Sequence, residues 1–140
     1  MKRILTSLFL LSFLLVMVAG CAHVRNIDRT GKEALRQQVE TEWNAKVDKK
    51  WGTVYDLTTE AYRKEVKRDS FINSANALIK SFDIREIKVL ASGKDATVKV
   101  YFVIDYMGHD FKLSINEKWL LENEGWYLEL IPQSLPGIAK

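Results

Sequence analysis

The chain has 140 residues, with 21 basic and 18 acidic side chains and a formal charge of +3. A charge this close to neutrality gives no electrostatic basis for binding nucleic acid. With a single cysteine and two histidines, the sequence has no disulfide framework and no ligand set for a zinc site, so we expect neither a metal nor a cofactor.

The first 20 residues have the three parts of a secretory signal peptide. Met1-Lys2-Arg3 is basic, residues 4–18 are apolar, and Ala19-Gly20 supplies small residues before the cleavage point. The apolar run is too short to predict a transmembrane helix. The residues Val18-Ala19-Gly20-Cys21 resemble the bacterial lipobox, in which cleavage precedes a cysteine that receives a diacylglyceryl group.

The lipobox resemblance implies that Cys21 is the lipidated N-terminus of a mature cell-envelope protein. Its acyl chains, palmitate among them, would anchor the protein in the membrane, because about two chains are enough for stable anchoring. Residue 22 is Ala and not Asp, which in a Gram-negative cell implies the outer membrane, facing the periplasm. Residues 21–30 would form a tether, and residues 31–140 one folded domain. The alternative is an ordinary signal peptide before an unmodified cysteine.

The N-terminal half of the mature chain has helical spacing. Apolar residues at steps of four, from Leu35 to Val47, predict a helix over residues 32–48. Two short helices are predicted next, around residues 51–55 and after Thr59 as an N-cap. A fourth helix, beginning near residue 69, is predicted to carry its apolar face as far as Phe82.

From Ile84 onward the apolar period is two, which predicts four strands over residues 84–91, 96–107, 111–122 and 126–131. Gly at the first position of a Gly108-His109 loop favours a type II′ hairpin. If Met107 pairs with Asp110, one sheet face is apolar over six cross-strand pairs, Glu117 excepted. We therefore predict an α+β domain with N-terminal helices packed on a four-stranded antiparallel meander sheet.

Several aromatic segments resemble the NTF2-like (cystatin-like α+β barrel) superfamily over about residues 31–131. They are Trp43, the segment WGTVYDLTTEAYR at residues 51–63, and the closing Gly125-Trp126-Tyr127-Leu128. The resemblance implies a curved sheet that wraps a long helix around a cone-shaped cavity. This scaffold carries isomerases, dehydratases, carriers and protein-binding modules. Its enzymes use a His–Asp pair or an Asp–Tyr site, and neither matches this sequence, which favours a non-catalytic role.

Five polar residues are candidates for the cavity: Glu117, Arg85, Tyr55, Tyr62 and Tyr106. Glu117 and Arg85 fall on the apolar sheet face, where an unpaired charge costs several kcal/mol. The pair predicts either a polar cluster for a ligand or for catalysis, or a structural ion pair. The tyrosine hydroxyls would be partners for Glu117; alternatively, the three rings are ordinary core residues.

The outer sheet face carries an apolar patch of Tyr101, Val103, Leu120 and Tyr127, which predicts a partner surface and a homodimer. We expect a lipid-anchored envelope domain that binds a protein partner or a small apolar ligand without catalysis. One alternative is a cavity enzyme of the isomerase or hydrolase type that uses Glu117 with a tyrosine. The other is a purely structural envelope lipoprotein.

Overall fold

A computed structural model of the chain describes residues 29–123 and 125–131. The predicted signal peptide, Cys21 and most of the predicted tether lie outside these residues. Within the described part of the chain, no helix is long and apolar enough to cross a membrane.

In the described part of the chain, four helices precede four strands, which confirms the predicted α+β class. The helices are α1 (Lys32–Val47), α2 (Trp51–Asp56), α3 (Glu60–Glu65) and α4 (Arg68–Ser74). The strands are β1 (Ile79–Val89), β2 (Asp95–Tyr106), β3 (His109–Glu122) and β4 (Gly125–Glu129). They form an antiparallel meander in the order β1-β2-β3-β4, so β1 and β4 lie at opposite edges and the sheet is not closed.

Helix α1 packs on one face of the sheet, which we call the inner face. Its stripe of Leu35, Val39 and Trp43 is fully or almost fully buried. Burying each such side chain contributes about 1.5–3 kcal/mol, which exceeds the intrinsic helix propensity of these residues. The sheet residues in the same core are Ile87, Ala96, Val98, Val100, Trp119, Trp126 and Leu128.

The three short helices build a second core against the end of α1. Tyr55, Tyr62 and Phe71 are buried there with Ala45 and Val54. Helix α3 begins as predicted, because the hydroxyl of Thr59 accepts a hydrogen bond from the Tyr62 amide at 3.4 Å.

The predicted fourth helix was wrong beyond Ser74. The chain becomes extended at Ala75, and Ile79 and Phe82 belong to β1, where Phe82 pairs with Phe102. A short apolar run fits either helical or strand periodicity, so pairing with β2 decides the structure.

The predicted β2–β3 register was wrong by two residues. The loop is Met107-Gly108, closed by the pair Tyr106–His109, and φ is +53° at Met107 and +79° at Gly108. Positive φ at both loop residues defines a type I′ turn, which matches the strand twist as a type II′ turn also would. A shift of two preserves side-chain alternation, so the predicted inner-face residues stay on that face. The β3–β4 register, with Glu122 opposite Gly125, is confirmed.

Strand β1 contains a bulge that removes Arg85 from the inner face. Its register changes between Ile84 and Glu86, so that Ile84 faces Val100 and Ile87 faces Val98. The extra residue of a bulge is left unpaired and changes which face the neighbouring side chains occupy. The prediction that Arg85 shares the apolar sheet face with Glu117 was therefore wrong.

Candidate functional site

Three charged side chains meet beneath α1 on the inner face. Glu42 on α1 is completely buried, and Glu117 on β3 is 5% exposed. The ammonium of Lys46, one turn after Glu42, forms ion pairs with Glu42 Oε1 and, at 3.0 Å, with Glu117 Oε1. One lysine thus joins two buried carboxylates.

Two tryptophans complete this charged cluster around Glu117. The indole of Trp43 donates to Glu117 Oε2 at 3.1 Å, and that of Trp119 donates to the same oxygen at 3.4 Å. The Lys46 ammonium also lies 3.9 Å from the centre of the Trp43 ring, a cation–π contact. Both Glu117 oxygens are therefore bonded, whereas Glu42 Oε2 is buried with no hydrogen-bond partner among the described residues.

Protonation follows from this arrangement. Burial, partly opposed by Lys46 and reinforced by Glu117, raises the pKa of Glu42 from 4.5 to about 8. Burial alone would lower the pKa of Lys46, but Glu42 and Glu117 together raise it above 10.5. Near neutral pH the cluster thus holds a charged Lys46 with two carboxyl groups, of which Glu42 favours its neutral form.

Glu117 was predicted as a site residue, but its two charged neighbours, Glu42 and Lys46, were not. Leu35, Val39, Glu42 and Lys46 follow one another at steps of four, three and four, so they share one helix face. That spacing was a usable signal for Glu42. The competing stripe through Trp43 and Val47 is wholly apolar, and a charged residue is rare in a core position.

The three predicted cavity tyrosines are not gathered around Glu117. Tyr55 lies in the second core, where its hydroxyl donates to the Val66 carbonyl at 2.7 Å. Tyr62 is buried beside it, with no hydroxyl partner among the described residues. Tyr106 is 58% exposed at the far end of β2. Arg85 lies on the surface and pairs with Asp83 at 2.8 Å.

Beyond the charged cluster, the inner face is open to solvent. Tyr106, Phe111, Leu113 and Ile115 are exposed, at 58, 47, 43 and 42%, and Ile104 beside them is half-buried. The geometry explains this exposure: the 16-residue α1 spans about 24 Å, whereas the 14-residue β3 spans about 46 Å. These five residues are called the exposed apolar surface below.

The predicted outer-face patch is divided in two. Tyr101 is 43% exposed and is flanked by the cationic groups of Arg85 and Lys99, each 5.5 Å from its ring. Val103 follows it on β2. Leu120 pairs with Tyr127 across β3 and β4, on the other side of the polar Thr97 and Lys99. The outer face thus offers two small apolar spots between charges.

A cleft of about 620 Å³ opens between α1 and the β3–β4 hairpin, and no residue of the charged cluster lines it. Its lining is mostly polar: Arg29, Ala34, Gln37, Gln38, Thr41, Asn123, Gly125 and Tyr127. None of the five predicted cavity residues lines this cleft. In the described ranges, no group of three or more His, Cys, Asp or Glu side chains is placed to hold a metal ion.

Comparison with known proteins yields a likeness of fold. No family model matches the sequence, and no curated protein matches it. The crystal structure of a SEC-C motif containing protein from Psychrobacter arcticus superposes with a TM-score of 0.59 at 13% identity. The match covers 76% of this chain and 61% of that protein, so this chain spans about three fifths of its length. At this identity, the likeness shows a shared α+β fold alone.

Proposed function

We propose that this protein is a lipid-anchored, NTF2-like domain of the cell envelope that binds a protein partner through the exposed apolar surface, without catalysis. The observation that carries the proposal is the exposure of four large apolar side chains, side by side on one sheet face. Soluble monomeric proteins rarely leave such a contiguous patch open, and patches of this kind mark interaction sites.

The buried charged cluster favours a structural role over catalysis. A catalytic carboxylate must reach its substrate, but Glu42 is completely buried and both oxygens of Glu117 are bonded within the core. The predicted alternative of Glu117 acting with a tyrosine gains no support, because the described partners of Glu117 are Lys46, Trp43 and Trp119.

The openness of the surface favours a protein over a small apolar ligand. Ligand sites enclose most of the ligand in a concave pocket. Here the apolar side chains stand on an extended two-stranded ribbon, and the 620 Å³ cleft lies elsewhere and is polar. A broad apolar surface with aromatic residues, here Tyr106 and Phe111, is typical of the core of a protein interface.

Photo-crosslinking in cells tests this proposal. The photoreactive amino acid p-benzoylphenylalanine would replace Phe111 on the inner face or, as a matched control, Tyr101 on the outer face. Both are aromatic and similarly exposed, at 47 and 43%. We expect an adduct with a different polypeptide from position 111 and not from position 101.

The other outcomes contradict the proposal in distinct ways. Adducts from position 101 alone would favour the outer-face patch. A small-molecule adduct at position 111 would replace the protein partner by an apolar ligand. The absence of any adduct with another molecule at position 111 would leave a structural envelope protein.

The membrane anchor has a separate test. The variant Cys21→Ser removes the thiol to which lipid would be attached. We expect the wild-type protein in the membrane fraction with the added mass of its acyl chains, and the variant without that mass and outside the membrane. Equal partitioning of the two proteins would overturn the lipid anchor and leave the binding surface to be judged on its own test.

A further inference from the structure

Among the residues that the structure describes, one edge of β3 has no paired strand over more than half of its length. Within the described residues, β4 pairs with β3 over Lys118–Glu122 only, while β2 pairs with β3 over His109–Leu120. The stretch from Asp110 to Asn116 therefore pairs with β2 on one side and with no described strand on the other. Every residue of this stretch is exposed.

The hairpin loops determine which backbone groups point to the open side. In a two-residue hairpin, the closing pair exchanges hydrogen bonds, so His109 directs its backbone to β2 and Glu122 directs its backbone to β4. Alternation then makes the odd-numbered residues of β3 face β2. The N–H and C=O groups of the even-numbered residues, Asp110, Lys112, Ser114 and Asn116, face the open edge.

An open edge beside apolar side chains is a template for another strand. We propose that this edge pairs in antiparallel fashion with the same edge of a second copy of the chain, with Leu113 opposite the partner's Leu113. The inference goes beyond the proposed function, because it holds whether or not another protein also binds.

Side-chain chemistry selects this register. The two β3 strands keep their apolar side chains on one face and bring their edge N–H and C=O groups together only if odd-numbered residues lie opposite odd-numbered ones. Centring the pair on Leu113 places Phe111 opposite Ile115 on the inner side, and Lys112 opposite Ser114 on the outer side. Centring on Lys112 would oppose two lysines, and centring on Ser114 would place Phe111 opposite Glu117. Like charges opposite each other destabilise a strand pair.

The consequence is one larger binding surface. Antiparallel pairing about a two-fold axis keeps both inner faces on the same side, so two four-stranded sheets become one of eight strands. The two exposed apolar surfaces then join along the central pair of β3 strands. A partner protein would meet a surface twice as wide as that of one copy.

Cysteine cross-linking in isolated membranes tests this inference, with wild type as the control for Cys21. Facing residues of a non-hydrogen-bonded pair have Cα atoms about 4.5 Å apart, within disulfide range. We expect Leu113→Cys to give a disulfide-linked dimer. Ile115→Cys is the matched control: the two copies of residue 115 would lie four residues apart along the strands, about 13 Å, too far for a disulfide.

A second variant keeps the test decisive. Ser114→Pro removes an N–H that faces the open edge, where proline is tolerated within a protomer. Added to Leu113→Cys, it should reduce the dimer at least several-fold while the circular dichroism spectrum is retained. Equal cross-linking at positions 113 and 115, no cross-linking at 113, or a dimer that survives Ser114→Pro would each overturn the edge pairing. None of these results bears on the heterologous adduct expected at position 111, so the two proposals fail separately.

Discussion

At the scale of single residues, Lys46 is the centre of the buried charged cluster. It bonds two carboxylates that no other described lysine or arginine contacts, and its own side chain is 14% exposed. Such a cluster is a weak source of net stability, because removing charged and polar groups from water costs nearly as much as their attraction returns. Removing Lys46 is costly, however, because both carboxyl groups then stay buried without a cation.

The first prediction concerns Lys46→Met. This change keeps most of the aliphatic side chain and leaves Glu42 and Glu117 without their cation, so we expect the free energy of unfolding to fall by about 3–5 kcal/mol. Lys50→Met is the matched control. Its ion pair with Asp48, 2.8 Å long, is solvent-exposed, and its loss should cost at most about 1 kcal/mol. Urea denaturation of both variants measures the difference. Similar losses of unfolding free energy in the two variants would show that the folded state does not depend on the Lys46 ion pairs.

The second prediction follows from the protonation of Glu42. Its folded pKa of about 8 lies above its ordinary 4.5, so the folded state holds this proton more tightly than the unfolded state. The contribution of this proton to the free energy of unfolding is therefore fully present below about pH 4.5 and is lost as the pH rises through 8. We expect stability, measured by urea denaturation from pH 5 to 9, to decline over this range.

The variant Glu42→Gln separates this effect from other titrating groups. An amide cannot ionise, so we expect the decline between pH 5 and 9 to become shallower in Glu42→Gln than in wild type. The exposed Glu40→Gln, from the same helix, is the control and should keep the wild-type slope. If Glu42→Gln also keeps that slope, Glu42 is ionised throughout and the raised pKa is wrong.

How much of the site could be predicted depended on local regularity. Glu117 was found because a charge interrupts a strict alternation of apolar residues in β3. Arg85 was misplaced because a bulge inserts one residue between Ile84 and Glu86, and an exposed bulge leaves no distinct mark in this sequence. The Glu42–Lys46 partnership was missed, although its i, i+4 spacing is visible.

At the scale of elements, the β2–β3 turn determines the register in which the two long strands pair. Its left-handed residues, Met107 and Gly108, have φ of +53° and +79°. The sequence indicated a tight turn here, but a Met-Gly and a Gly-His loop both satisfy the apolar alternation. The choice between them shifts the pairing by two residues, which composition alone does not resolve.

The third prediction tests this turn with Gly108→Ala. A Cβ at Gly108 would touch nothing within 4 Å, so the cost comes from the left-handed backbone alone, about 1–2 kcal/mol. Gly125→Ala is the control, because its Cβ would make an ordinary 3.7 Å contact with the Tyr127 ring and φ there is not positive. Thermal unfolding should show a lower midpoint for Gly108→Ala and a smaller change for Gly125→Ala. The reverse order would contradict the type I′ turn.

At the scale of the whole molecule, the two halves of the sheet have different surroundings. The half under α1 is a packed core with three buried tryptophans, Trp43, Trp119 and Trp126. The other half presents apolar side chains to solvent. The alternation in the sequence identified which residues share the inner face. It could not show how far α1 covers that face, because coverage depends on where a short helix rests on a long sheet.

Because α1 covers only part of the inner face, the surface proposed for a partner protein moves from the outer face to the inner face. The sequence pattern predicted a partner surface on the outer face, where Tyr101 and Tyr127 are separated by polar and charged residues. The structure instead exposes its contiguous apolar residues on the inner face and along the open edge of β3. We therefore propose that this end of the ribbon is covered by protein when the molecule works in the cell.

The most direct test is hydrogen exchange of the β3 amides in membrane vesicles isolated from cells. In a lone protomer, the amides of Lys112, Ser114 and Asn116 face solvent and should exchange at nearly the rate of an unstructured peptide. If the protein is anchored and assembled as proposed, we expect these amides to be strongly protected in the vesicles, and we expect detergent that separates the proposed assembly to remove the protection. Rapid exchange of these three amides in the native membrane would contradict the proposal.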